Sequence, residues 1–187
     1  MLWGLTKGRK KVKEKAEIKK QEHNNENERN KKFEYDKSEW YWDSASERFC
    51  EEQNKTQEEL TDEDNARIWE YAGNHIAFFV TWLIENDFYF GDGEDFFKED
   101  LKLVKERKMT GKEFLTDNCD EVLSRGDICE EVLEFVDRYY IDKYMADYSD
   151  FVEEKIKKSV YGIAFSWEDY DGVRKVIDDA YREHKKY

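Results

Sequence analysis

Residues 63–86 read EDNARIWEYAGNHIAFFVTWLIEN, and this segment carries the strongest helical pattern of the chain. Apolar side chains recur in it at intervals of three and four residues, the spacing of an amphipathic helix. Ile68, Ala72, His75, Phe79, Trp82 and Leu83 follow that spacing, and Ile76, Phe78 and Val80 widen the apolar face until it nearly surrounds the helix. A helix that is apolar on most sides packs at the centre of a domain. We therefore predict a buried central helix that places Trp82 in the core.

Further helical patterns flank this segment. They occupy residues 94–107, the segment after Thr110, residues 127–158 and residues 168–186. Thr61 or Asp62 is placed to cap the central helix. Thr110 is placed to cap a later helix, with Glu113 as its capping-box partner. Residues 127–158 fit one long helix, or two if Ser149 or Asp150 caps a second piece.

Two segments depart from the helical pattern. Residues 50–62 are polar and are predicted as a linker. Residues 159–167 alternate between apolar and other side chains, which is typical of a strand or another extended segment. The sequence as a whole predicts a mainly α domain of about five or six helices around the central one, with a single short extended segment near residues 159–167.

Charge divides the chain into two unequal parts. Residues 1–32 hold 11 Lys and Arg against 5 Asp and Glu, whereas residues 33–187 hold 21 against 41. The first part has few large apolar side chains to bury, so we predict a basic arm that is either a solvated helix or disordered. The remainder is predicted as one acidic helical domain.

This charge distribution bears on partners and location. The acidic domain should repel nucleic acid phosphates and anionic membrane surfaces, and it should attract basic proteins. The arm begins with the apolar residues 1–5 and continues with many lysines, so it is either a solubilising tail or a weak contact for a membrane or nucleic acid. Three cysteines without CxxC spacing, and no secretory signal pattern, favour a cytoplasmic location.

Few residues carry a chemical signature. His75 is the one histidine within apolar sequence, where a hydrogen-bonded core histidine is the more common role than a catalytic base. Cys119 and Cys129 are interpreted as small buried residues. Phosphate-binding glycine loops, metalloprotease helices and nucleophile elbows are missing from the sequence, and the acidic loop 85–95 does not match a calcium loop. We therefore predict no catalytic residue, no cofactor and no metal ligand.

Four short motifs occur in order along the chain. They are Tyr35-Asp-Lys-Ser-Glu-Trp40, Ala72-Gly-Asn-His-Ile76, Met109-Thr-Gly111 and Ser166-Trp-Glu-Asp-Tyr-Asp171. Across roughly residues 33–185 this order resembles an uncharacterised bacterial family, a domain of unknown function without an assigned activity. Tyr41 stands where that family often has His, and its Pro-rich stretch is missing here. Small acidic domains of this kind are also similar to immunity proteins of bacterial toxin systems.

Two functional hypotheses follow. The first is a cytosolic protein-interaction domain, in its sharpest form an immunity protein that neutralises a basic toxin such as a nuclease. The acids nominated to contact that partner are Asp127, Glu130, Glu131, Glu134 and Asp137. The second is an enzyme or small-ligand protein whose pocket is built from the motif residues. The candidates for that pocket, or for the core, are Asp36, Trp40, His75, Trp82, Asp120 and Trp167.

Overall fold

The computed structural model describes residues 33–89 and 97–186. Within them, strands β1 (Glu34–Lys37) and β2 (Val122–Ser124) form an antiparallel pair. Six helices accompany this pair. They are α1 (Trp42–Gln53), α2 (Asp62–Glu85), α3 (Lys98–Lys105), α4 (Gly111–Cys119), α5 (the continuous run Glu130–Tyr139, Tyr140–Tyr144, Met145–Phe151 and Val152–Ile156) and α6 (Trp167–His184).

The mainly α fold is thus confirmed, and helix α2 is its centre. Thr61 caps α2, because its side chain accepts a hydrogen bond from the backbone N–H of Asp64 and the Asp64 carboxylate accepts one from the Thr61 N–H in return. Every residue from Ala72 to Ile84 is buried. The helix contacts α1, α4 and α6 as well as the β pair, so the elements are arranged around it.

Helix α5 is one long helix, and this answers the question that its sequence left open. Ser149 and Asp150 lie inside it and begin no second helix. Two π-helical turns interrupt its α geometry, at Tyr140–Tyr144 and Val152–Ile156. Such turns insert an extra residue into the helix and are frequent at functional sites.

Two local features differ from the expectation or were not foreseen. The predicted linker 50–62 is wrong at its start, because α1 continues to Gln53 and buries Cys50. The β pair was not predicted, since its strands are short and more than 80 residues apart. The short extended segment predicted near residues 159–167 is confirmed, and it follows a turn and pairs with no strand within the described residues. The predicted arm 1–32 and loop residues 90–96 lie outside the described part of the chain.

Aromatic rings fill the space between α2, α5 and α6. Trp82 is fully buried, and its ring packs against Phe79, Phe88, Phe135 and Tyr181. Its indole N–H donates to Asp178 Oδ1 at 2.8 Å, so the ring is buried without an unpaired donor. The prediction that Trp82 lies in the core is confirmed.

Candidate functional site

Asp36 and His75 are the two motif residues that the fold brings into direct contact. His75 Nε2 lies 3.1 Å from Asp36 Oδ2, and the same carboxylate oxygen accepts a hydrogen bond from the Tyr140 hydroxyl at 2.8 Å. The backbone N–H of Lys37 donates to the other carboxylate oxygen. The cluster therefore joins β1, α2 and α5 through one buried carboxylate.

This Asp36–His75 cluster is closed to solvent. The side chains of His75 and Asp36 are 2% and 5% exposed, and neither residue lines either of two large grooves formed by the described residues. Tyr41 packs edge-on against the His75 ring at 4.5 Å between centroids. Burial, followed by the Asp36 charge, raises the pKa of the Tyr41 hydroxyl. A general base needs access to the proton that it removes, so the arrangement suits a structural pair better than a catalytic one.

The neighbouring motif residue Tyr35 is also engaged in the fold. Its hydroxyl donates to Asp137 Oδ1, and Arg125 donates to the same carboxylate, at 2.8 Å from Nη2 to Oδ2. Burial acts to raise the pKa of Asp137, but the hydrogen bonds from Arg125 and Tyr35 outweigh it and hold this pKa below its usual range. Asp137, nominated above for partner binding, is thus committed to holding β1 and α5 together.

The motif glycines mark close approaches between elements. A Cβ atom on Gly73 would collide with Ser38 Oγ and lie within 3 Å of Glu121 Oε2 and Lys112 Nζ. Glu121 accepts hydrogen bonds from Ser38 and from Lys112, and it joins the 3-10 turn between β1 and α1 to α4. Gly111 has the same role where α4 crosses α2, because a Cβ there would meet Thr81 and the Ala77 carbonyl.

The late motif holds α6 against the rest of the molecule. Ser166 caps α6 and accepts a hydrogen bond from the Asp169 N–H. The Tyr170 hydroxyl donates to Glu85 at 2.8 Å. Arg107 forms two hydrogen bonds with Asp171, at 2.5 and 2.9 Å, and its guanidinium lies 4.8 Å from the Trp167 ring. Trp167 is thus engaged in packing.

The remaining motif candidates do not converge on a pocket. Trp40 is exposed on the surface, and Asp120 is an exposed residue with left-handed backbone that ends α4. Trp82 lies in the core. Of the six residues nominated for a pocket, the structure joins only Asp36 and His75 to each other directly.

The sequence does not indicate a partly buried ion pair at the wall of an open groove between α2 and α4. Lys112 and Glu121 form this pair, and both line the groove, which measures about 1030 Å³. Burial lowers the pKa of Lys112, while the nearby Glu121 and Glu70 oppose that shift. A capping box places Lys112 in the first turn of α4, but its burial depends on the distant Gly73, so a local pattern does not indicate it.

The acids nominated at the start of α5 differ in environment. Glu130 and Glu131 are exposed, and they form no ion pair within the described residues. Glu134 is exposed and pairs with Arg138 one turn later. Asp127 is half-buried in the turn before α5 and has interactions of its own. The glutamates are therefore the part of this set that faces solvent.

Other chemistry in the described residues is sparse. Burial raises the pKa of the Cys119 thiol to about 12, which disfavours the reactive thiolate. Within residues 33–89 and 97–186, no group of three or more histidine, cysteine or acidic side chains is placed to hold a metal ion. None of the helices described here combines the length and the apolar character that crossing a bilayer requires.

Comparison with known proteins adds a family assignment without an activity. No curated protein and no solved structure matches the chain. One family model matches residues 34–163, which include β1, the central helix α2 and all of α5. The family is described as a domain of unknown function, and the three motifs that fall inside the match are those whose contacts hold β1, α1, α2 and α4 together. The chain therefore belongs to the family described as Domain of unknown function (DUF7832).

Proposed function

We propose that this chain is a protein-interaction domain that recognises a basic partner. The observation that carries the proposal is the charge of the domain, 41 acidic against 21 basic residues from position 33 onward. Potentials of this kind accelerate the encounter with an oppositely charged surface and disfavour nucleic acid and anionic membranes. The partner in this proposal is therefore a protein with a cationic surface.

Two features of the fold support an interaction role over an enzymatic one. The single histidine–carboxylate contact among the motif residues is enclosed by Tyr41 and Tyr140 and lines neither large groove. By contrast, Glu130 and Glu131 at the start of α5 are exposed without an ion pair in the described residues. Acidic side chains near a helix N-terminus are favoured by the helix dipole, so α5 presents them without loss of stability.

In its most specific form, the proposal is a cytoplasmic immunity protein. Such a protein would neutralise a basic toxin, for example a nuclease, by covering the cationic surface with which the toxin holds its own substrate. Electrostatic steering gives the fast association that such an inhibitor requires. Glu130, Glu131 and Glu134 are the residues proposed to meet the partner first.

The test begins with purification of the partner by affinity capture and continues with its association rate, measured by stopped flow. Charge reversal at three sites together, Glu130→Lys, Glu131→Lys and Glu134→Lys, should lower the association rate constant by about tenfold or more at low salt and change dissociation less. The matched control, Asp43→Lys, Glu47→Lys and Glu58→Lys, changes net charge equally at exposed sites on and after α1. Equal effects from both triples, or a partner with an acidic surface, would contradict the proposal.

A further inference from the structure

A second groove lies between α5 and α6, and its floor is apolar. We call it the α5–α6 groove; its volume is about 860 Å³. Phe135, Tyr139 and Phe151 of α5 line it together with Val176 and Ala180 of α6. Neither Val176 nor Ala180 is fully buried, so part of this apolar surface meets solvent. Apolar surface in an open groove gains free energy when a partner covers it.

One edge of the groove carries a row of acids. Asp147, Asp150 and Glu154 line it at spacings of three and four residues, which places them along one face of α5. None of the three forms an ion pair within the described residues, although Lys143 and Lys155 also line the groove. Like charges at these spacings destabilise a helix, and Glu154 lies in the last turn, where the helix dipole disfavours a negative charge. The row therefore gives this edge of the groove negative charge that is not neutralised by ion pairs within the described residues.

The floor also holds the hydroxyl of Tyr139, next to the row of acids. Tyr139 lines the groove and is 5% exposed, and burial, followed by the neighbouring Asp147 carboxylate, raises the pKa of this hydroxyl. The apolar floor and the acidic row therefore meet at this residue. The two π-helical turns of α5 lie on either side of Met145–Phe151, the segment that carries Asp147 and Asp150.

We propose that the α5–α6 groove is the docking site for a basic amphipathic helix of the partner. Its apolar side chains would cover the floor, and its lysines or arginines would face Asp147, Asp150 and Glu154. The lining residues of α5 run from Phe135 to Lys155, about 30 Å at 1.5 Å per residue, so a helix of about five turns spans the groove. This inference rests on the proposed function. It adds the α5–α6 groove, as a binding mode in which a helix lies in a groove, to the acidic residues at the start of α5 as a second surface for the same partner.

The probe is a fluorescent 18-residue peptide of leucine and lysine, with the leucines on one helical face. Its control has glutamate at every lysine position. Binding to the full-length protein is measured by fluorescence anisotropy. Two tryptophan substitutions are compared: Ala180→Trp places a ring in the α5–α6 groove, and Ala66→Trp places one in the groove between α2 and α4. Thermal unfolding of each variant establishes that it is folded.

We expect the lysine peptide to bind the wild-type protein and the glutamate peptide to bind at least about tenfold more weakly. Ala180→Trp should weaken the lysine peptide by about tenfold or more, and Ala66→Trp by less than about twofold. The variant Asp147→Asn, Asp150→Asn and Glu154→Gln adds no bulk and should also weaken binding about tenfold. The matched variant Asp43→Asn, Glu47→Gln and Glu58→Gln removes three exposed acids outside the groove lining and should have less than about a twofold effect.

Several results would overturn the inference. Failure of the lysine peptide to bind, or equal losses from the two tryptophan variants, would remove the groove as a site. If Lys10→Glu, Lys11→Glu and Lys13→Glu together tighten peptide binding, the occupant is the chain's own basic arm. If the peptide dissociates a dimer, the occupant is a second copy. A native partner that depends on Glu130, Glu131 and Glu134 but not on Ala180→Trp would leave the proposed function standing and refute the groove alone.

Discussion

Several polar side chains in the buried part of the central helix α2 have hydrogen-bond partners, whereas the acids on the groove edge of α5 have no ion-pair partners within the described residues. In the buried part of α2, His75 contacts Asp36, Thr81 donates to the Ala77 carbonyl, and Trp82 donates to Asp178. On the edge of α5, Asp147, Asp150 and Glu154 have no ion-pair partner in the described residues. The polar groups of the first region stabilise the fold, whereas the second region includes like charges at spacings that are unfavourable in a helix. The difference indicates where the molecule has surface available for binding.

The largest expected effect concerns the buried tyrosines beside α2, at alkaline pH. Burial is the main cause that raises the pKa of Tyr140, Tyr144, Tyr148 and Tyr170. The folded state keeps these protons while the unfolded chain loses them above about pH 10, so stability is lost as pH rises beyond that value. Four such groups cost about 1.4 kcal/mol each at pH 11, or about 6 kcal/mol together.

The measurement is an alkaline titration followed by tyrosinate absorbance and by near-ultraviolet circular dichroism. We expect the buried tyrosines to ionise together with loss of tertiary structure. A gradual ionisation near pH 10 with the fold intact would mean that these hydroxyls reach solvent. The groups beside α2 would then be solvent-exposed, as those on the α5 edge are.

The second effect is Trp82→Ala. Removal of a fully buried indole leaves a cavity and removes one hydrogen bond to the Asp178 carboxylate, so we expect a loss of about 3–5 kcal/mol in the free energy of unfolding. Trp40→Ala is the control, since Trp40 is 57% exposed, and it should cost less than about 0.5 kcal/mol. Chemical denaturation measures both, and a loss below about 1 kcal/mol for Trp82→Ala would place the core elsewhere.

The third effect is the loss of stability when the buried Asp36–His75 cluster is disrupted, which should exceed the cost of losing a surface ion pair. Asp36→Ala leaves His75, the Tyr140 hydroxyl and the Lys37 N–H without their acceptor, and we expect a cost of about 2–3 kcal/mol. Tyr140→Phe removes one of these hydrogen bonds and should cost about 1 kcal/mol. If both variants are as stable as the wild type, the cluster does not contribute to the stability of the fold, and a functional role for Asp36 and His75 would then be favoured.

The sequence predicts the α2 region well because its signal is periodic and local. The apolar arc from Ile68 to Leu83 requires burial on nearly all sides, and Thr61 marks its first turn, so the helix and its position follow from sequence alone. The capping box of Thr110 and Glu113 is likewise found where the spacing predicts it. Signals of this kind need no knowledge of distant residues.

The features that were missed depend on distant contacts. The β1–β2 pair joins segments more than 80 residues apart, and Lys112 is buried where α4 approaches Gly73 of α2. Motif residues such as His75 and Asp36 were open to a functional interpretation because sequence does not distinguish a buried structural contact from a pocket. The spacing of Asp147, Asp150 and Glu154 can be read from the sequence. Whether these acids have ion-pair partners depends on the folded structure.

The most direct test of the contrast is the free energy of unfolding of the variant Asp147→Asn, Asp150→Asn and Glu154→Gln, measured by urea denaturation. These substitutions remove two like-charge neighbours, each unfavourable by about 0.2–0.5 kcal/mol, together with a negative charge at the C-terminus of α5. We predict a variant that is equal in stability to the wild type or more stable by up to about 1 kcal/mol. A loss of about 1 kcal/mol or more would show that the acidic row serves the fold, and would contradict its assignment as a binding surface.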